Sequence, residues 1–256
     1  CSGTGTLGIC RKIHFDILST RRDPSLLLTT AFIRAYGNCS SMIDALAIFD
    51  ELQEPDVVAW SALISGYARG GNYATSFQIY DEMKLANIDP NHVTFLSLLT
   101  ACGHGGRVEK GVDMFESMNT DYALTPKVEH FVTVVDLLGR VGDLDRAEEI
   151  LSRMPMQPDL AMWLCLLAAC QKHGNVELGK RVFNRAVSLQ PDKAAAYVMM
   201  LNIYNDAGLW DGATEMDMMR RLGSRWFGQG EEAQTPFSIE VYNCTKRKVY
   251  NLEHHQ

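Results

Sequence analysis

Seven cysteines (Cys1, Cys10, Cys39, Cys102, Cys165, Cys170 and Cys244) and a terminal His254-His255 pair are the side chains in this 256-residue chain best suited to metal or nucleophilic chemistry. Metal sites and redox pairs draw on short spacings such as C-x-x-C, because ligands one turn apart converge on one ion. No C-x-x-C occurs, and the H-x-E and P-C-x-x-C segments that a zinc deaminase requires are both absent. Two adjacent histidines at a chain end read as solvent-exposed rather than as a metal site. Gly174-Asn175-Val176-Glu177-Leu178-Gly179-Lys180 has the outline of a phosphate-binding loop, but Arg181 stands where that loop needs a metal-binding hydroxyl. The segment reads instead as the start of a helix, and Gly103-His104-Gly105-Gly106 as a turn between helices. No catalytic residue, metal site, cofactor or small-molecule substrate is expected.

The composition narrows the classes further. A hydrophobic content of 46% is ample for a folded core, and the odd number of cysteines among apolar neighbours points to reduced, buried thiols. The net charge of −7 opposes nonspecific attraction to phosphates, yet leaves room for recognition through base stacking and base-edge hydrogen bonds. There is no initiator Met, no signal-type apolar segment and no run long enough to span a bilayer. The expectation is a soluble stretch of a longer protein with no membrane partner.

The elements emerge from a recurrence of 32 to 36 residues. Aromatics fall at Trp60, Phe95, Phe131, Trp163 and Tyr197, and glycines follow them at Gly71, Gly106, Gly142, Gly174 and Gly208 with identical spacings. Met83, Met118 and Met154, and Pro90, Pro126, Pro158 and Pro191, keep the same register. Within a unit, apolar residues recur three and four apart on either side of the glycine, as in Ala59–Ala68 and Ala74–Met83. Each unit is thus predicted to be two helices, with the glycine in the left-handed conformation between them and the proline closing the pair. Short helix pairs bury both faces only by stacking, so the predicted fold is all-α, an α-solenoid. Cys102 and Cys170 lie two repeats apart on that scaffold, too far to share a metal. The aromatic and Met series are predicted to be core. A final alternation, Phe237–Tyr242 followed by Lys248–Leu252, predicts a short C-terminal β-hairpin.

Specific residues give this period a family. The unit 57–91, with Val57-Val58-Ala59-Trp60-Ser61-Ala62-Leu63-Ile64, Gly66-Tyr67, Met83 and Pro90-Asn91, resembles a pentatricopeptide repeat throughout. Residues 92–127, with Val93-Thr94-Phe95 and Leu99-Thr100-Ala101-Cys102, resemble a long repeat of the plant organellar subclass that alternates long and short motifs. Residues 128–159, with Val135-Asp136-Leu137-Leu138-Gly139-Arg140, resemble a short one. Residues 26–56 are similar to an upstream short repeat, and residues 1–25 to the tail of a long one. Beyond Asp159 the chain resembles the E region of that subclass, as a first helix pair over 160–193 and a tetratricopeptide-like second pair over 194–223. Within the last segment, 224–256, the stretch Phe237–Tyr242 with Lys248–Leu252 is similar to the segment that leads into a cytidine deaminase domain, with Phe237-Ser238-Ile239-Glu240 in place of the usual Ser-Trp-Ile-Glu, while Ser224 to Gln234 departs from the family pattern.

The resemblance implies sequence-specific binding of single-stranded RNA, one base per repeat, in a mitochondrion or chloroplast. It assigns base reading to the residue after the first-helix aromatic and the residue after the closing proline. These are Ser61 with Asn91, and Thr30 with Asp56, while Leu27, Val58 and Val93 are implied to sandwich the bases. Asn offers a donor and an acceptor to the N1 and N6–H₂ of adenine, whereas Asp offers only acceptors to the N1–H and N2–H₂ of guanine. Repeat 57–91 is therefore expected to prefer A, and repeat 26–56 to prefer G on the 5′ side. The later pairs, Leu96 with Lys127 and Val132 with Asp159, are weaker candidates, because Leu and Val cannot hydrogen-bond. The hydroxyls of Ser61 and Thr30 also suit a helix start, and Asn91 and Asp56 also suit helix N-caps. The implied role is site recognition for C-to-U RNA editing, with a DYW-type cytidine deaminase in the same or another chain and other editing factors as partners. The competing expectation is a tetratricopeptide-like scaffold for protein partners, favoured by the acidic charge.

Overall fold

Three of the helices begin where the residue after a proline supplies a side-chain acceptor. Asp56 caps Val57–Arg69, Asn91 caps His92–Gly105, and Asp159 caps Leu160–His173, each accepting from backbone N–H groups of its own first turn. The computed structural model describes residues 4–19 and 25–227. Among the described residues the secondary structure is entirely α-helical, with thirteen helices and no strand. The predicted hairpin over 237–252 lies outside the described residues.

Two compact units divide between Val141 and Gly142, inside the repeat read as 128–159. The first holds α1 (Thr4–Ser19), α2 (Leu26–Asn38), α3 (Met42–Asp50), α4 (Val57–Arg69), α5 (Tyr73–Leu85), α6 (His92–Gly105), α7 (Val108–Thr120) and α8 (Val128–Val141). Here α2/α3, α4/α5 and α6/α7 are helix hairpins, and α2, α4, α6 and α8 pack side by side in chain order. This is solenoid packing, since each helix pair buries its apolar faces against the next. The second unit holds α9 (Leu144–Ser152), α10 (Leu160–His173), α11 (Val176–Leu189), α12 (Ala194–Asp206) and α13 (Trp210–Phe227). In it α10/α11 and α12/α13 are hairpins, and α12 packs on both α10 and α11.

All five glycines of the repeat register take positive φ, as predicted: Gly71, Gly106, Gly142, Gly174 and Gly208. The repeat 26–56 makes the same turn with Ser40 at φ 59°, which is why it carries no glycine marker. Trp60, Phe95, Phe131 and Tyr197 are buried, as are Met83 and Met118, while Trp163 and Met154 are half-buried. Phe115 and Phe131 meet edge to face at 5.0 Å, and Phe49 and Trp60 at 4.6 Å. These aromatics are core, not stacking platforms. No described helix is long and apolar enough to cross a membrane.

Candidate nucleic-acid interface

The junction between α4 and α6 brings one predicted pair together. Asn91 Oδ1 accepts from the N–H groups of Val93 (2.9 Å) and Thr94 (3.1 Å), the first turn of α6. Thr94 completes a capping box, its hydroxyl accepting from Asn91 N–H at 3.1 Å and donating to Asn91 Oδ1 at 3.2 Å. From α4, the Ser61 hydroxyl lies 2.7 Å from Thr94 Oγ1, 2.7 Å from the carbonyl of Val57 and 3.4 Å from Asn91 Oδ1; with the Thr94 proton on Oδ1, the single Ser61 proton makes the bond to Thr94 Oγ1. The carbonyl end of the amide is thus committed to protein. Its NH₂ end has no partner among the described residues, so Asn91 presents a donor rather than the donor-acceptor pair expected from its chemistry alone.

Asp56 makes the corresponding cap with one oxygen. Its Oδ1 accepts from Val58 N–H (3.1 Å) and Ala59 N–H (2.8 Å), leaving Oδ2 as an uncommitted acceptor. The two junctions therefore offer opposite hydrogen-bonding groups, a donor at Asn91 and an acceptor at Asp56. Among the described residues Thr30 makes no hydrogen bond to Asp56, and its buried hydroxyl has no partner.

Ser61 and Thr30 are only 2% and 4% exposed. Ser61 sits on the face of α4 that meets α6, against Thr94 and Asn91 rather than in solvent, and Thr30 is buried at the same register position of α2. Ser61 accordingly reaches the Asn91 amide through Thr94 and Oδ1. By contrast, Leu27, Val58 and Val93 are 83%, 46% and 54% exposed. Val58 and Val93 carry the very N–H groups that the caps hold, so an unburied aliphatic surface adjoins each polar group.

The weaker candidates divide. Asp159 caps α10 through Met162 N–H at 3.0 Å, and Val132 is an exposed residue of α8; the two belong to different compact units. Leu96 is half-buried and Lys127 exposed. Lysine cannot accept, and the side-chain bond at this helix start is instead made by His130, whose Nδ1 accepts from Lys127 N–H at 3.2 Å. Its Nε2 lies 2.9 Å from the carbonyl of His92. Thr94 and His130, three residues after the junction, were not singled out by sequence reasoning; the Asn91-x-x-Thr94 spacing was the available signal.

Cys10, Cys102 and Cys170 are buried free thiols, and burial pushes Cys102 up to about 11 and Cys170 up to about 12. Among the described residues no group of three or more His, Cys, Asp and Glu side chains gathers to hold a metal ion.

A stack of capped helix pairs with period-spaced polar groups defines a class, the helical-repeat proteins, and sequence comparison gives the member family. The PPR repeat family model matches residues 55–104, and the PPR repeat model matches residues 29–56, 93–121 and 129–157. Pentatricopeptide repeat-containing protein At3g53360, mitochondrial, of Arabidopsis thaliana is 32% identical over 261 residues, covering 99% of this chain and 34% of the relative. The Arabidopsis thaliana protein ELI1, chloroplastic, is 35% identical over 225 residues, covering 87% of this chain and 36% of the relative. The chain belongs to the pentatricopeptide repeat family, and spans about a third of the length of these relatives. Their names place them in mitochondria and chloroplasts, the location expected here. The crystal structure of the pentatricopeptide repeat protein PPR10 from maize superposes with a TM-score of 0.70 at 18% identity, over 87% of this chain and 32% of that one. PPR10 in complex with an 18-nt psaJ RNA element superposes at 0.64, also at 18% identity, over 87% of this chain and 33% of that one.

Proposed function

We propose that this chain binds single-stranded RNA in a sequence-dependent way, with each repeat junction addressing one base. The observation that carries the reading is the division of labour within the caps. One atom of Asn91 or Asp56 is spent on the helix start, and the other is left without a protein partner beside an exposed aliphatic residue. A donor suits adenine N1, and an acceptor suits guanine N1–H. Repeat 57–91 then prefers A, repeat 26–56 prefers G on its 5′ side, and Leu27, Val58 and Val93 flank the bases. The RNA-bound relative of the same fold supports the ligand class.

The finer reading is site recognition for C-to-U RNA editing. It rests on the likeness of residues 160–223 to the E region of the plant subclass. On that reading a DYW-type cytidine deaminase, in the same or another chain, supplies the chemistry.

Filter-binding titrations with RNAs differing at one nucleotide test the first step. Asn91→Asp is expected to move the preference of that nucleotide from A to G by about 10-fold in relative affinity, the scale of one well-matched base contact. Binding that ignores this exchange defeats the base assignment. No saturable affinity for any single-stranded RNA library favours the tetratricopeptide-like scaffold instead.

A further inference from the structure

We infer that Thr94 is a specificity-positioning residue, which holds the Asn91 amide in the orientation that presents its NH₂ to a base. The inference rests on the RNA-reading function proposed above and assigns part of the selectivity of one repeat to the first turn of the next.

The two ends of an amide are chemically different, and the two oxygens of a carboxylate are not. If the Asn91 side chain swings or flips, the group it shows changes from donor to acceptor, and the base it matches changes with it. If Asp56 turns over, it shows the same acceptor as before. A neutral amide cap is also the weaker one, since hydrogen bonds to a carboxylate are roughly twice as strong. An asparagine at this position therefore needs a restraint that an aspartate does not.

The chain places that restraint where the argument requires it. Three residues after Asn91 stands Thr94, fully buried, with its hydroxyl in contact with Asn91 Oδ1, Asn91 N and Ser61 Oγ. Three residues after Asp56 stands Ala59, and three after Asp159 stands Met162, neither of which has a hydrogen-bonding side chain. Thr94 brings a third donor to Oδ1 and ties the main-chain N of Asn91 to the same hydroxyl, so both the amide and its stem are held. Ser61, donating to Thr94 Oγ1 at 2.7 Å, fixes Thr94 from the previous repeat and leaves the Thr94 proton for Oδ1. The buried hydroxyl of Ser61 thus influences base choice at second hand, with no need to reach the base.

The test compares Thr94→Val, which keeps shape and removes the hydroxyl, with Thr94→Ser, which keeps the hydroxyl. Each is made in the otherwise unchanged chain and in the Asn91→Asp chain, and binding is measured to RNAs carrying A or G at the addressed nucleotide. The expected result is a loss of A-over-G discrimination of about fivefold in Thr94→Val, the worth of one hydrogen bond, recovered in Thr94→Ser. In the Asn91→Asp chain, Thr94→Val is expected to leave the G preference unchanged. Equal losses in both chains, or no loss in either, overturn the positioning role while Asn91 remains a reader. Absence of any A preference in the unchanged chain, with no switch in Asn91→Asp, defeats the base-reading function itself and the role of Thr94 with it. Should Thr94→Val fail to fold, Thr94→Ala serves, because Ala59 occupies the same register in α4.

Discussion

His130 carries a consequence for stability because of how its ring is held. Its Nδ1 accepts from Lys127 N–H and its Nε2 faces the His92 carbonyl, which requires the neutral ring with its proton on Nε2. The side chain is fully buried, and burial, with His92 adding a smaller contribution in the same direction, lowers its pKa below the ordinary 6.5. Glu129 and the bonds to His92 and Lys127 work in the opposite direction without prevailing. With the folded value depressed, the unfolded chain takes up the proton first. The stabilisation is therefore complete above the ordinary histidine range and is lost as pH falls through 6.5 toward the folded value. Thermal melts between pH 8 and 5 are expected to show a decline in melting temperature that His130→Gln reduces, since glutamine can accept and donate at the same two places without titrating. An identical decline in both proteins would remove His130 from the account. The depressed Asp44, held by Ser41 and Arg11, acts only at lower pH, around and below its ordinary 3.8.

At the scale of helices and turns, the glycine of the repeat register is a backbone requirement that can be isolated. Gly106 ends α6 at φ 63° and ψ 25°, with its N–H donated to the Cys102 carbonyl. A Cβ built there meets no atom within 4 Å, so Gly106→Ala costs only the left-handed conformation, about 1 kcal/mol. Urea titration should show a lower midpoint at unchanged slope; an unaltered midpoint would mean the turn relaxes freely. This requirement is also why so much of the fold was legible. Glycine, proline and buried aromatics answer to local geometry, and their recurrence marks the helix pairs directly. Ser40 escaped because it adopts the same positive φ without advertising it. The proposed reading pair was legible as a spacing, but the hydrogen bonds that hold it were not. Asn91 belongs to one repeat, and the hydroxyls of Ser61 and Thr94 that constrain it come from either side of it, a meeting of residues 33 apart that no local pattern states. The division of the chain after Val141 had no sequence signal either, because the repeat markers run through it without interruption.

For the molecule as a whole, the proposed function raises the question of how an acidic chain would hold a polyanion. The net charge is −7, and many basic side chains are already engaged: Arg11 with Asp44, Lys84 with Asp81, Arg181 with Glu148, and Arg220 and Arg221 with Asp217. Such exposed pairs add little to stability, but each leaves a cation that must give up a carboxylate before it can serve a phosphate. Lys127 differs, since it stands exposed at the register position of Asn91 with no ion-pair partner among the described residues. Affinity built mainly on base edges and aliphatic packing should depend weakly on salt. For single strands the slope of log K against log salt concentration is about −0.7 for each phosphate neutralised, so one or two contacts predict a slope of about −1. Lys127→Ala is expected to make that slope shallower by about 0.7 and to lower affinity evenly across RNA sequences, leaving the A preference at Asn91 intact. A slope steeper than about −4 would place the binding energy in the phosphates. The discrimination assigned to Asn91 and Asp56 would then be a small correction to a charge-driven contact rather than its basis.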